Sequence, residues 1–219
     1  MSEQRPRLWS DFDGTAVGLI SRANPYNWSK YPLPKKEGYV EFLRGVQSTD
    51  VEMGGIVSRR PDIALRRMAT RRSVAKLGIN EFFAHPEQIL HTTTEVAKAD
   101  FVVEQSKITT IGMLDDRPHK FGKELLNSLA RVEPGVDDKL HPILLGVVSH
   151  VRSHEYMDRF VREIGTKAKA HWDIHEIDEQ TGNPAFVFEN GQHTVHMIAL
   201  EPYSFPAGEA FGQKLHEIA

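Results

Sequence analysis

The sequence predicts an α/β protein, a doubly wound parallel sheet covered by helices, on three observations. Apolar runs of strand length alternate with helical runs from Leu8 to about Ile164, with no internal repeat and no low-complexity segment. Pro142-Ile143-Leu144-Leu145-Gly146-Val147-Val148 is apolar without alternation, as a strand buried on both faces must be. Acidic residues tip two of the apolar runs, at Asp11-Phe12-Asp13-Gly14 and at Asp115-Asp116, and open α/β sheets gather their functional groups at the carboxyl ends of strands.

The elements follow in order. Leu8 to Asp11 opens the sheet. Residues from about Lys36 to Gln47 read as a helix with Val40, Phe42, Leu43 and Val46 as its apolar positions. Gly54 to Ser58 is a short apolar strand ending in a hydroxyl, and Pro61 falls where a helix would begin. That helix runs to Leu77 with Ile63, Ala64, Leu65, Met68 and Val74 as its expected buried residues and Gly78 as its stop. A short strand is expected near Glu81 to Ala84. Thr92-Thr93-Thr94-Glu95 offers a cap for a helix to about Ser106, and Thr110 to Asp115 forms the next strand. A helix through about Leu129, the Pro142 to Val148 strand and a helix from about Glu155 to Ile164 complete a core of residues 1–164.

Residues 165–219 read as an extension packed on that core. His171 to Ile177 alternates like a strand. Phe186 to Glu189, Asn190-Gly191 and Thr194 to Ile198 carry a type I′ hairpin signal, so a small antiparallel addition is expected.

Asp11 and Asp13 form an i, i+2 pair leaving a strand, which places both beside one ligand, one able to serve as nucleophile and the other as acid/base. Asp-x-Asp-Gly is also ordinary turn chemistry. Ser58 sits at a strand end facing a helix N-terminus, a natural anion site, although a serine there also serves as a helix cap. Lys98 lies about one turn inside a capped helix. Lys76 competes with it, but ends the helix that follows Ser58. Asp115 is the better candidate ligand of its pair, since Asp116 could instead cap the helix ahead of Pro118.

Asp-x-Asp-Gly-Thr, a strand-end serine, a helical lysine and a strand ending Asp-Asp together resemble the four-motif signature of the haloacid dehalogenase (HAD) superfamily, over roughly residues 7 to 150. The resemblance implies a Rossmann-like core and a phosphatase working through an aspartyl-phosphate. It makes Asp11 the nucleophile and Asp13 the acid/base that protonates the leaving oxygen. Gly14, Thr15, Ser58, Arg59 and Lys98 would hold the phosphate, with Lys98 also neutralising charge beside the nucleophile. Asp11, the backbone carbonyl of Asp13, Asp115 and Asp116 would hold Mg2+. Members that dehalogenate carbon lack an acid/base aspartate at the position of Asp13, so its presence argues for phosphate esters. Oxygen donors suit Mg2+, and the chain has no cysteine for a soft thiolate site. Phosphoryl transfer itself asks for such a cluster, because its transition state spreads charge over three oxygens.

The span from Ala16 to Lys35 is too short for a helical cap domain, and that from Ser58 to Lys98 leaves no room for a large insert. The resemblance thus implies a capless member with a short flap, for which Pro25-Tyr26-Asn27-Trp28 and Tyr31-Pro32 supply aromatic surface, and a bulky or partner-covered phosphorylated substrate. Trp28 and Tyr31 could equally pin a long loop to the core. His171, Asp173 and His175 align on one strand face in a spacing that could hold a transition metal, but the polar face of an edge strand explains them better. A part in homodimer formation or in covering the site suits this extension more.

The net charge of −3 carries no global basic field, so nucleic acid is not indicated, although Arg59, Arg60 and Arg117 add local positive charge that would suit a second phosphate or a nucleic-acid backbone. No apolar run approaches a membrane span, and Met1 to Pro6 lacks the apolar core of a signal peptide, so a cytoplasmic protein is expected. The competing function is a non-catalytic or regulatory protein that keeps the fold and binds a partner through the aromatic flap and the C-terminal hairpin. The full acidic set with Lys98 favours the enzyme.

Overall fold

The computed structural model describes residues 4–17, 37–60, 62–83, 85–132, 140–148, 154–169, 172–177, 185–200 and 203–219. The chain runs β1 (Arg7–Ser10), α1 (Tyr39–Ser48), β2 (Glu52–Ser58), α2 (Ala64–Lys76), β3 (Ile89–His91), α3 (Glu95–Ser106), β4 (Ile111–Asp115), α4 (Pro118–Leu129), β5 (Ile143–Val148), α5 (His154–Lys167), β6 (Asp173–Ile177), β7 (Ala185–Glu189), β8 (Thr194–Leu200) and α6 (Phe205–Ile218). The strands form one eight-stranded sheet in the order β3-β2-β1-β4-β5-β8-β7-β6. The first six in that order are mutually parallel, and β7 and β6 close the edge with antiparallel pairs. This is an α/β fold with a mainly parallel sheet.

Strand alternation feeds two cores, one on each face of the sheet. Leu8, Ile56, Leu144 and Ile198 point to a layer with Phe42, Val46, Phe211 and Leu215, whereas Trp9, Val57, Leu145 and Met197 point to one with Val102, Phe121, Leu125 and Val161. Helices therefore cover both sides. In α1 the buried residues Tyr39, Phe42, Leu43 and Val46 recur at helical spacing. Helix α6 packs against α1 so closely that a Cβ on Gly208 would lie 2.0 Å from the carbonyl oxygen of Phe42.

The segment after Gly165 is continuous with the sheet. β8 pairs in parallel with β5 over Ile143–Val148, and Phe211 and Leu215 of α6 enter the first core. Among the described residues, α6 has no counterpart in the expected elements. The hairpin joins β7 and β8 as expected from Asn190-Gly191, but its turn is not type I′. Asn190 N donates to His193 O at 3.4 Å, which makes Gly191 and Gln192 the central pair, and of these only Gly191, at φ 80°, has a positive φ.

Two further expectations need correction. The helix expected from Pro61 begins at Ala64 and buries Thr70, Ser73 and Val74, leaving Ile63, Leu65 and Met68 exposed at 54%, 66% and 44% and Ala64 exposed as well. Of the strand expected near Glu81 to Ala84, residues Glu81 to Phe83 form a turn and bend whose Phe82 and Phe83 plug the first core, Ala84 lies outside the described residues, and the short strand is β3 at Ile89–His91. Gly78 does end α2, with its N–H donating to Ala75 O. The flap with Tyr26, Trp28 and Tyr31 lies outside the described residues. Among the described residues no helix is long and apolar enough to cross a membrane.

Candidate active site

β1 and β4 lie side by side where the strand order reverses direction, so their carboxyl ends flank the crevice in which open α/β sheets bind ligands. Asp11 N donates to Leu114 O at 2.8 Å, which continues the β1 to β4 ladder and brings Asp11 beside Asp115. Helix α3 aims the third member. Thr94 caps it, its hydroxyl accepting from Ala97 N at 3.1 Å, and Lys98 follows within the first turn. Lys98 Nζ stands 2.7 Å from Asp11 Oδ1 and 2.5 Å from Asp115 Oδ2, with the side chain only 1% exposed. Lys76, by contrast, is exposed on the last turn of α2.

Burial works against the Lys98 charge, but Asp11 and Asp115 outweigh it and hold the ammonium above the usual lysine value. Burial pushes Asp11 from 3.8 up to about 7; Lys98 pulls it down, and Asp115 and Asp116 add repulsion. Lys98, with Arg117 Nε 3.9 Å from Asp116 Oδ2, faces three carboxylates, so the centre is short of positive charge.

The loop after β1 turns tightly. Ala16 N and Val17 N both donate to Phe12 O at 3.1 Å, and Gly14 N donates to Val17 O at 2.8 Å. Gly14 takes φ 93°, and a Cβ there would lie 2.0 Å from Asp116 Oδ2, so the turn and the close approach both require glycine. Thr15 Oγ1 is 3.5 Å from Asp11 Oδ2. From below, Tyr39 donates to Ser10 Oγ at 2.7 Å and Ser10 donates to Asp11 O at 2.9 Å.

Ser58 is fully buried at the end of β2, its carbonyl accepting from Thr92 N at 2.7 Å and its hydroxyl from Arg60 N at 3.4 Å. It does not cap α2, whose N-cap is Ile63. Asp116 does not cap α4 either, since that position is Arg117 with no side-chain cap bond. Asp115 Oδ1 accepts from Arg117 N at 2.6 Å, so both its oxygens are engaged. Burial, and then the Asp115 charge, raises Asp116 from its ordinary value, and its Oδ1 is buried with no hydrogen-bond partner.

Arg59 pairs with Glu95 Oε1 at 2.9 Å. Burial, then the Asp115 charge, raises Glu95. The arginine at the centre is Arg60, which grips Asp13 by two hydrogen bonds, Nε to Oδ2 at 2.8 Å and Nη2 to Oδ1 at 2.6 Å. Neither Glu95 nor Arg60 was assigned a specific partner from sequence. The signal for Arg60 was its place two residues after Ser58, as Asp13 stands two after Asp11, because i, i+2 pairs leaving adjacent parallel strands fall on one side.

The chain matches no family model and no curated protein. Among solved structures, it is similar to the Legionella pneumophila effector Ceg4, crystallised with an N-terminal yeast Hog1p sequence, at 15% identity and a TM-score of 0.40, over 75% of this chain and 97% of that one. A likeness at that distance carries no argument about chemistry, so the site stands on its own geometry.

For a divalent cation the donor set is chemically suitable: Asp11, Asp115 and Asp116 are hard oxygen donors, and the buried Asp116 Oδ1 has no hydrogen-bond partner. Lys98 Nζ itself bridges Asp11 and Asp115, and among the described residues no three His, Asp or Glu side chains are grouped as metal ligands. On the far edge, Asp173 and His175 are exposed on β6, with His175 Nε2 3.9 Å from Glu189 Oε2; His171 lies outside the described residues.

Proposed function

We propose that this chain is a Mg2+-dependent phosphatase of the capless HAD-like type, acting on phosphate monoesters through an aspartyl-phosphate on Asp11. The observation that carries the reading is the buried Asp11–Lys98–Asp115 bridge at the carboxyl ends of β1 and β4, with Asp13 two residues beyond. A merely structural core gains little from desolvating two carboxylates and a lysine together.

In this reading an Asp11 carboxylate oxygen attacks phosphorus, the bond from phosphorus to the leaving oxygen breaks, and Asp13 gives that oxygen its proton. Water then attacks the aspartyl-phosphate, Asp13 takes the proton of the water, and phosphate leaves with Asp11 restored. Lys98 neutralises charge between nucleophile and phosphate, while the Ser58 hydroxyl and the backbone N–H groups of the Gly14–Thr15 turn receive the phosphoryl oxygens. Mg2+ held by Asp11, Asp115, Asp116 and the Asp13 carbonyl would supply the positive charge that Lys98 alone does not.

The test is a phosphatase screen of the purified chain over nucleotides, sugar phosphates, phosphopeptides and 3′- or 5′-phosphorylated oligonucleotides, with Mg2+ present and absent. Turnover that needs Mg2+, is lost in Asp11→Asn and falls less in Asp13→Asn on p-nitrophenyl phosphate supports the reading. Full activity in Asp11→Asn removes the nucleophile assignment and favours a binding protein.

A further inference from the structure

Resting on the phosphatase reading, we infer that Arg60 is the positioning residue for Asp13, fixing the direction in which the acid/base carboxylate faces the leaving group. The guanidinium meets the carboxylate as a planar fork, with Nε 2.8 Å from Oδ2 and Nη2 2.6 Å from Oδ1. Such a pair sets the rotation of the carboxylate as well as its place.

The arginine is itself anchored from two other directions. Nη1 donates to Thr70 Oγ1 on α2 at 3.1 Å, and the guanidinium carbon lies 4.7 Å from the centre of the Phe12 ring. Arg60 is 7% exposed, whereas the neighbouring Arg67, Arg71 and Arg72 are on the surface. Burying a guanidinium is costly unless its partners are well placed. Asp13 remains 31% exposed, so the clamp holds it without sealing it from a substrate.

The clamp matters because Asp13 follows β1 on a tight turn beside Gly14, and Arg60 holds both of its carboxylate oxygens. The two-bond fork is that of the ionised Asp13, the state that follows donation of its proton to the leaving oxygen, so Arg60 holds the carboxylate in place to take the proton of the attacking water. Proton transfer of this kind needs the donor within hydrogen-bond reach of the leaving oxygen. Thr70 thereby links α2 to the chemistry of the β1 loop.

The test uses the full chain carrying Arg60→Gln or Arg60→Lys, each in the wild-type and the Asp13→Asn background, with phenyl phosphate and p-nitrophenyl phosphate as substrates. The phenolate of the first needs the proton more than that of the second. Arg60→Gln is expected to lower kcat on phenyl phosphate about tenfold more than on p-nitrophenyl phosphate, with KM little changed. Arg60→Lys, which cannot form the fork, should recover only part of that loss, and Thr70→Val should act in the same direction more weakly. In Asp13→Asn, removing Arg60 should add nothing.

Equal losses on the two substrates, or an undiminished loss in the Asp13→Asn background, overturn the inference. A urea double-mutant cycle between Arg60 and Asp13 needs no turnover and separates the two readings. Coupling in a wild-type protein that hydrolyses no phosphate ester overturns the phosphatase reading, and the positioning role with it, leaving a structural ion pair. Activity without coupling overturns the clamp alone.

Discussion

Lys98 and Asp11 stand 87 residues apart in the chain and 2.7 Å apart in space. The contact is made by two devices: the Thr94 cap that starts α3, and the β1 to β4 pairing, continued by Asp11 N donating to Leu114 O, that brings Asp115 to the other side of the ammonium. Each is a local solution to a backbone or burial problem. Together they put a desolvated cation between two carboxylates at the switch point of the sheet.

Removing that cation should therefore be costly twice. Lys98→Met leaves Asp11 and Asp115 buried without their shared partner, and breaking a buried pair typically costs about 3–5 kcal/mol. Urea unfolding at pH 7.5 should show a loss of that order, and turnover in the proposed phosphatase reaction should fall by about 10²–10³-fold. A variant as stable as the wild type would mean that Lys98 does not bridge the two carboxylates in solution.

The Asp11 carboxyl supplies a pH dependence of stability with a definite sign. Its folded value, pushed up to about 7 by burial, exceeds the unfolded 3.8, so between those values the folded state binds more protons than the unfolded one. The contribution is present below about 4 and is lost as the pH rises through about 7. In chelator, wild-type stability should fall over that window by at most about 1.4 kcal/mol per unit from this group. Asp11→Asn should flatten the slope and be the more stable protein at pH 8. Parallel urea curves for the two proteins from pH 5 to 8 would exclude a raised Asp11.

Much of this was legible because parallel strands buried on both faces read as unbroken apolar runs, and their ends were marked by Asp11, Ser58 and Asp115. Helix α2 misled because the apolar Ile63, Leu65 and Met68 near its start are exposed, and the helix docks instead through the small residues Thr70 and Ser73 together with Val74. Phe82 and Phe83 imitate a strand but serve as plugs below a turn, while Ile89 to His91 is too short to show any period. The α6 start did carry a signal, the Ser204 cap with Pro206 in the first turn. That β8 pairs in parallel with β5 could not be read, because alternation along one strand names no neighbour. Arg60 reads in sequence as one of three local positive charges, and although its spacing from Ser58 matches that of Asp13 from Asp11, the pairing of the two shows only once β1 and β2 are neighbours.

Helix α6 should behave as core rather than appendage. Phe211 is 1% exposed and packs with Phe42 at a ring separation of 5.8 Å. Phe211→Ala should cost about 3–5 kcal/mol in urea unfolding, as large-to-small changes of buried phenylalanine do. A loss below about 1 kcal/mol would make α6 an accessory element that the sheet does not need.

If the proposed Mg2+ site is right, the raised Asp11 ties cation binding to protons. A carboxylate must be ionised to ligate Mg2+, so below about 7 the cation has to displace the Asp11 proton, whereas near pH 8 the group is already charged. Mg2+ affinity should therefore fall by about tenfold for each pH unit below 7 and level off above it. Titration calorimetry at pH 6 and pH 8, in buffers of different ionisation heat, should find close to one proton released at the lower pH and little at the higher. Asp11→Asn should bind Mg2+ weakly with the pH dependence gone, while Lys98→Met should still release its proton. Affinity that is flat from pH 6 to 8 in the wild type would place Asp11 outside the ligand set, and no binding at either pH would take the cation out of the proposed reaction.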